Sequence, residues 1–121
     1  MHELSIARAL IAQATSAARS HGGGRIRHIR LAIGPLSGVE PALLARAFLQ
    51  ARTATPAATA DLHIETPPVR VSCPACGTES AAALNRLVCA TCGSNRVTLA
   101  SGDELLLLGL DLDPAKEATH V

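Results

Sequence analysis

Cys73-Pro74-Ala75-Cys76-Gly77 and Cys89-Ala90-Thr91-Cys92-Gly93 are the stretches around which this chain is organised, because they contain all four of its cysteines. The cysteines form two CxxC pairs with twelve residues between the pairs, and a glycine follows each pair. Each pair brings two sulfurs to one side of a tight turn, and a residue without a side chain lets backbone amides turn toward the sulfurs most cheaply. Two such pairs separated by a hairpin's length of chain predict a zinc ribbon with a closed, tetrahedral site of the structural type.

Disulfide bonds and a redox centre are alternative uses of the same cysteines. A domain built on disulfides spreads its cysteines over more of its length, and the first residues lack the basic and apolar regions of a secretory signal. A redox role for one CxxC leaves the second pair unexplained. The spacing therefore favours zinc, and free cysteines at zinc spacing fit a reducing compartment, so we expect a cytoplasmic protein.

Composition limits the remaining possibilities. The 121 residues are enough for one domain with a small appendage, and the formal net charge is only +1. Phe48 is the one aromatic residue in a sequence that is 48% hydrophobic, so the core is expected to consist of aliphatic side chains. No apolar run approaches the roughly 20 residues that span a bilayer. We expect neither a nucleic acid nor a membrane as partner.

Two helices are predicted from periodicity. Residues 1–21 place apolar side chains at helical spacing, and Gly22-Gly23-Gly24 ends that helix. Pro41 begins the second helix, at a position where its missing N–H has no cost. The predicted buried stripe of the second helix consists of Leu43, Leu44, Ala47, Phe48 and Ala51.

Three strands complete the predicted α+β fold. Residues 25–33 and 61–65 alternate between apolar and polar side chains, and the leucine-rich run 104–113 is typical of a strand covered on both faces. We predict a three-stranded sheet with two helices on one side. The inserted four-cysteine zinc-ribbon module is predicted to lie between the second and third strands.

The predicted domain bounds follow from this insertion. Residues 1–70 and 101–121 are predicted to form one α/β domain, and residues 71–100 are predicted to form the zinc-ribbon domain. The ribbon's hairpin is expected at 81–88, and the tail 115–121 is expected to be frayed.

The first three residues, Met1-His2-Glu3, contain donors for a different metal. With a free amino terminus, the terminal amine, the deprotonated backbone nitrogen of His2 and the His2 imidazole can bind one ion. They close a five-membered and a six-membered chelate ring, and three in-plane nitrogens favour square-planar Ni(II) or Cu(II). A carboxylate such as Glu3 or Glu40 could take the fourth position. Chemistry alone leaves open that His2 is an idle or capping residue.

The sequence as a whole resembles the HypA/HybF family of hydrogenase nickel incorporation proteins. The resemblance extends over essentially the full chain, in the family's order. Its motifs are Met1-His2-Glu3-Leu4-Ser5, Ile33-Gly34-Pro35-Leu36-Ser37-Gly38-Val39-Glu40-Pro41, Leu62-His63-Ile64-Glu65, the two CxxCG knuckles, and Gly102-Asp103-Glu104-Leu105.

This resemblance implies a nickel metallochaperone rather than an enzyme. It implies delivery of Ni(II) to the large-subunit precursor of [NiFe]-hydrogenase, and in some organisms to urease, in cooperation with the GTPase HypB. It implies that His2 binds nickel, that Glu3 is tied to nickel or to the GTPase, and that the four cysteines hold structural zinc. The fourth nickel ligand differs among members. For the oligomeric state we expect a monomer or a weak homodimer.

Two rival functions fit the residues less well. A zinc-ribbon nucleic-acid-binding or protein-interaction module is the first, but the ribbon has no aromatic residue for stacking on bases. An enzyme is the second, but no nucleophile and base occur at a recognisable spacing. His21, His28, His63 and His120 are scattered along the chain and are interpreted as surface or partner-facing residues.

Overall fold

The computed structural model describes residues 2–113, which form two helices and six strands. The elements in chain order are α1 (His2–Ser20), β1 (Ile26–Ile33), α2 (Pro41–Ala51), β2 (Asp61–Glu65), β3 (Arg70–Ser72), β4 (Glu79–Ala81), β5 (Thr98–Ser101) and β6 (Leu105–Leu112). The strands form two three-stranded sheets, in the orders β2-β1-β6 and β4-β3-β5. The predicted α+β class and the inserted cysteine module are confirmed. The tail 115–121 lies outside the described residues.

The helices form where the apolar periodicity predicts them. The buried stripe of α1 consists of Ala7, Leu10, Ile11, Ala14 and Ala18. Glu40 precedes α2 as its N-cap, and its carboxylate accepts a hydrogen bond from the amide of Ala42 at 3.3 Å. The two helices pack against each other, and Phe48 of α2 is 1% exposed.

The predicted buried stripe of α2 is only partly right. Leu44 and Phe48 are buried, whereas Leu43 is 47% exposed. The core-facing stripe of α2 is therefore narrower than the run of apolar residues in its sequence. Adjacent residues on a helix point about 100° apart, so Leu43 and Leu44 cannot both face the centre of the same core.

The prediction that the leucine run is covered on both faces is wrong. β6 lies at an edge of its sheet, and Leu105, Leu106 and Leu108 are between 41% and 53% exposed. The one glycine in the leucine run, Gly109, is explained by a neighbouring side chain. A Cβ on Gly109 would lie 2.5 Å from Nη2 of Arg30, so this position leaves room for the arginine side chain to cross the sheet.

The second sheet is formed by strands that precede, separate and follow the cysteine pairs in the chain. β3 pairs antiparallel with β4, with Val71 opposite Ser80, and antiparallel with β5, with Val71 opposite Leu99. The hairpin predicted at 81–88 is only partly right. The paired strands β3 and β4 instead flank the first CxxC, and between the cysteine pairs the chain makes only a short bridge between Ala83 and Arg86.

The chain divides into two compact units. Among the described residues, the first unit comprises 2–31, 40–64 and 107–113, and the second comprises 32–39 and 65–106. Within the second unit, the loop after β1 is fastened to the segment after β5: the amide of Leu36 donates to the carbonyl of Gly102 at 2.6 Å, and the amide of Gly34 donates to that of Glu104 at 2.8 Å. The predicted domain bounds stay a prediction.

No helix in the described part of the chain is long and apolar enough to cross a membrane.

Candidate metal centre

The four cysteine sulfurs converge on one point. One donor atom from each of Cys73, Cys76, Cys89 and Cys92 lies within 4.8 Å of all the others. The Sγ atoms of Cys73 and Cys92 are 3.6 Å apart, and those of Cys76 and Cys89 are 3.5 Å apart. Four sulfurs at about 2.3 Å from a central zinc in a tetrahedron are separated by about 3.8 Å. The cluster therefore fits a tetrahedral thiolate site, and no S–S bond joins its members.

The two CxxC pairs use the same local geometry. The amide of Gly77 donates to the carbonyl of Cys73 at 2.8 Å, and the amide of Gly93 donates to that of Cys89 at 2.9 Å. The φ angles of these glycines are +73° and +76°, a backbone conformation that residues with a Cβ rarely adopt. The predicted reason for a glycine after each pair is thus confirmed. In each pair the first cysteine is buried and the second is exposed.

Backbone and hydroxyl donors favour negative charge on two of the sulfurs. The hydroxyl of Thr78 lies 3.0 Å from Sγ of Cys76, and it contributes most to lowering the pKa of that thiol. The pKa of Cys89 is lowered to about 5, chiefly by the amide of Cys92 and then, against the opposing effect of burial, by that of Thr91. Sequence reasoning missed this contact between Thr78 and the sulfur cluster. A hydroxyl directly after a CxxCG motif was the available signal.

The pKa of Cys92, the other exposed thiol, is raised rather than lowered. The amide of Ser94 lowers the pKa of Cys92, but hydrogen bonds with the sulfur of Cys73 and the other cysteines, together with burial, raise it to about 11. Four sulfurs this close cannot all be charged without a cation among them. A divalent cation among the four sulfurs would remove this mutual repulsion and let all four act as thiolates.

The amino-terminal residues lie at the start of α1, and Met1 is outside the described part of the chain. The His2 side chain is 60% exposed, and its Nδ1 lies 3.5 Å from Oε1 of Glu3. The Glu3 side chain is only 10% exposed. The pKa of Glu3 is lowered, mainly by a hydrogen bond from its own backbone amide, with burial opposing and the neighbouring His2 adding a smaller effect. His2 and Glu3 are therefore adjacent, with the carboxylate charged at neutral pH.

The structure also shows the contacts of Glu40, the alternative fourth nickel ligand, and of three further histidines. Glu40 caps α2 through its carboxylate. His21 follows the end of α1, and its Nδ1 lies 2.9 Å from the carbonyl of Ala17. His28 and His63, 35 positions apart in sequence, lie side by side with Nδ1 and Nε2 3.1 Å apart. The sequence pattern predicts that each of these two residues lies on a strand. It does not predict their contact, because the contact depends on the order of the strands in the sheet. His120 lies outside the described residues.

The fold and the sulfur cluster define a small α+β metal-binding protein with an inserted four-cysteine module. Residues 1–112 match the family model described as hydrogenase/urease nickel incorporation, metallochaperone, HypA. The chain belongs to this HypA family of nickel metallochaperones for hydrogenase maturation. It is thus placed among maturation factors rather than catalytic enzymes.

The sequences of two HypA proteins are similar to this chain over nearly its whole length. The hydrogenase maturation factor HypA of Nitrosospira multiformis is 44% identical over 112 residues, which cover 93% of this chain and 97% of the relative. The corresponding protein of Chlorobaculum tepidum is 39% identical over 113 residues, which cover 93% of this chain and all of the relative.

The fold is similar to that of a solved relative. The solution structure of the Ni metallochaperone HypA from Helicobacter pylori superposes with a TM-score of 0.71, at 29% identity, over 95% of this chain and all of that one. A second solution structure of a HypA protein gives a TM-score of 0.73, also at 29% identity, over 95% of this chain and 98% of that one.

Proposed function

We propose that this chain binds Ni(II) at its amino terminus and delivers it to the large-subunit precursor of a [NiFe]-hydrogenase in the cytoplasm. The proposed ligands are the α-amine of Met1, the backbone nitrogen and imidazole of His2, and the carboxylate of Glu3. The observation that carries the proposal is the 3.5 Å approach of His2 Nδ1 to Glu3 Oε1 in a chain of the HypA family. Nδ1 is the nitrogen that closes a six-membered ring with the backbone nitrogen of the same residue.

The start of α1 suits such a site for two reasons. The first amides of a helix have no acceptor within the helix, so the amide of residue 2 can become a ligand without breaking the helical ladder. The His2 side chain is mostly exposed, so the ion can be taken up and released without unfolding the core. A carrier needs this exchange.

We propose that the cysteine cluster, in contrast, holds a resident Zn(II). Its donor set is four thiolates, which zinc accepts in closed tetrahedral sites. Cys73 and Cys89 are each 1% exposed, so half of the proposed shell is shielded from solvent. Such a site stabilises the fold and leaves no position for a substrate.

We propose HypB, the family's GTPase, as the partner during nickel transfer. Hydrogenase is the favoured recipient because the curated relatives are hydrogenase maturation factors, although the family description also names urease. Family membership favours this function over a zinc ribbon that binds nucleic acid.

The test is a metal count and a Ni(II) titration of the untagged protein beside His2→Ala. The wild type should contain one zinc and bind one exchangeable nickel at its amino terminus. His2→Ala should lose at least about tenfold in nickel affinity, because it removes a ligand, while zinc content stays the same. Equal nickel affinity in the two proteins would reject the amino-terminal site, and loss of zinc from His2→Ala would show that the variant is misfolded.

A further inference from the structure

Two imidazoles on neighbouring strands of the first sheet form a cluster that the proposed nickel and zinc sites do not use. His28 lies on β1 and His63 on β2, which are adjacent in the sheet. Nδ1 of His28 and Nε2 of His63 are 3.1 Å apart, and the ring centroids are 5.1 Å apart with an angle of 47° between the planes. The contact is a hydrogen bond in which one of these two nitrogens donates and the other accepts, as the tautomers of the rings decide.

The same separation suits two ligands of one ion. Nitrogens bound at about 2.0–2.1 Å with an angle between about 90° and 109° at the metal are about 2.9–3.4 Å apart. The observed 3.1 Å lies inside this range. A divalent ion can therefore replace the shared proton without a change in the distance between the two nitrogens.

Asp61 supplies a third donor beside the pair. Its Oδ2 lies 3.8 Å from Nδ1 of His28, which is within the separation of about 4.2 Å that two ligands on opposite sides of one ion can reach. In the described part of the chain, only the four sulfurs form a set of three or more such donors within 4.8 Å of one another. The histidines thus form a two-nitrogen chelate, and the Asp61 side chain, 72% exposed, can turn in to complete it.

The strands hold the pair in place while leaving it open to an ion. Ile29, the residue after His28, is fully buried, which anchors β1 at this point. The His28 side chain itself is 32% exposed, and His63 is exposed. Ligands on strands keep their geometry better than ligands on loops, and here solvent reaches the donors directly.

We propose that His28 and His63, with Asp61 as third ligand, form a second site for a divalent transition-metal ion that prefers imidazole. Ni(II), Zn(II) and Cu(II) are ions of this class. The site shares no residue with the proposed amino-terminal site or with the sulfur cluster, and it does not rest on the proposed delivery function.

The test uses the full chain, loaded with zinc in its cysteine site, in a His2→Ala background that removes the amino-terminal site. NiCl2 is titrated calorimetrically into this protein and into the same protein with His63→Gln or Asp61→Asn. The matched control is His21→Gln, which removes an exposed histidine just after α1. Removing His63 should weaken Ni(II) binding at least about tenfold, and the control should leave it unchanged.

Cu(II) provides a second readout through the nitrogen couplings in its pulsed electron paramagnetic resonance spectrum. Two coordinated imidazoles are expected in the His2→Ala protein, and one after His63→Gln. Absence of Ni(II) binding to the His2→Ala protein would overturn the proposal, as would binding that His63→Gln leaves unchanged or that His21→Gln weakens equally. The effects of His63→Gln and His21→Gln in the His2→Ala background leave the amino-terminal site untested, and the comparison of the wild type with His2→Ala tests that site by itself.

Discussion

Nδ1 of His2 lies 3.5 Å from Oε1 of Glu3 at the first turn of α1, so an imidazole nitrogen and a charged carboxylate lie next to each other. The imidazole of His2 is exposed to solvent. The carboxylate of Glu3 is mostly buried and accepts a hydrogen bond from its own backbone amide. The pair joins an exposed donor to a buried one. The proposed nickel site depends on this relationship.

Glu3→Gln should weaken Ni(II) binding and leave the zinc content unchanged. The substitution keeps the size of the side chain but removes the negative charge of a proposed ligand, so the affinity for Ni(II) should fall at least about tenfold. Calorimetric titration at pH 8 measures the effect. An unchanged affinity would assign Glu3 a purely structural role.

The same variant should alter the dependence of stability on acid. Because the folded-state pKa of Glu3 is lowered from about 4.5, its charged form stabilises the fold above the unfolded-state pKa, and this contribution is lost as pH falls through the folded-state pKa. The difference in unfolding free energy between wild type and Glu3→Gln should therefore be largest near neutral pH and shrink below about pH 4.5. Denaturant unfolding across this pH range provides the check. A difference that stays constant with pH would contradict the linkage.

Nickel binding should weaken as pH falls through about 7. An α-amino group has a pKa of about 7.7–8.0, and its proton must leave before the nitrogen can bind a metal. Parallel titrations at pH 6 and pH 8 test this competition. The same affinity at both pH values would argue against the amine as a ligand.

Zinc removal should unfold the second unit before the first. Structural zinc contributes roughly 10–16 kcal/mol in small thiolate modules, and the sheet β4-β3-β5 belongs to the same compact unit as the four cysteines. A chelator, or Cys73→Ser, should abolish hydrogen-exchange protection of β3 and β5 while the amides of α1 stay protected. Readdition of zinc to the chelated wild type is the control and should restore protection. Full protection of the second unit without metal would contradict the proposed role.

Gly34→Ala should be far more destabilising than Gly38→Ala in the same loop. A Cβ on Gly34 would collide with the carbonyl oxygen of Gly102, whereas a Cβ on Gly38 meets nothing within 4 Å and only suffers from a φ of +82°. We expect a loss of more than about 3 kcal/mol for Gly34 and about 1–2 kcal/mol for Gly38. Thermal unfolding of the zinc-loaded proteins compares them. Equal losses would place the cost in backbone conformation rather than in close approach.

Local pattern was sufficient to predict the two helices, the three strands of the first sheet and the sulfur cluster. The apolar spacing of α1, the proline that begins α2 and the alternation of β1 are properties of short segments. The CxxCG motifs are likewise local, because each turn is built within five residues. These features could be predicted because the physics that causes them acts over a few positions.

Long-range arrangement accounts for what the sequence did not reveal. Whether a leucine run is central or at an edge depends on strand order, so the exposure of Leu105, Leu106 and Leu108 could not be predicted from composition. The contact between His28 and His63 arises in the same way, since it joins two strands with α2 between them in the chain. The pairing of β3 with β4 was missed because three-residue strands carry too little alternation to be recognised.

Acetylation of the α-amino group, followed by Ni(II) absorption and circular dichroism spectra, tests the amino-terminal site most directly. The acetylated protein keeps His2, Glu3 and the cysteines, and loses only the terminal nitrogen as a donor. The account predicts that the spectrum of square-planar nickel disappears on acetylation while zinc remains bound. A square-planar nickel spectrum that survives acetylation unchanged would contradict it.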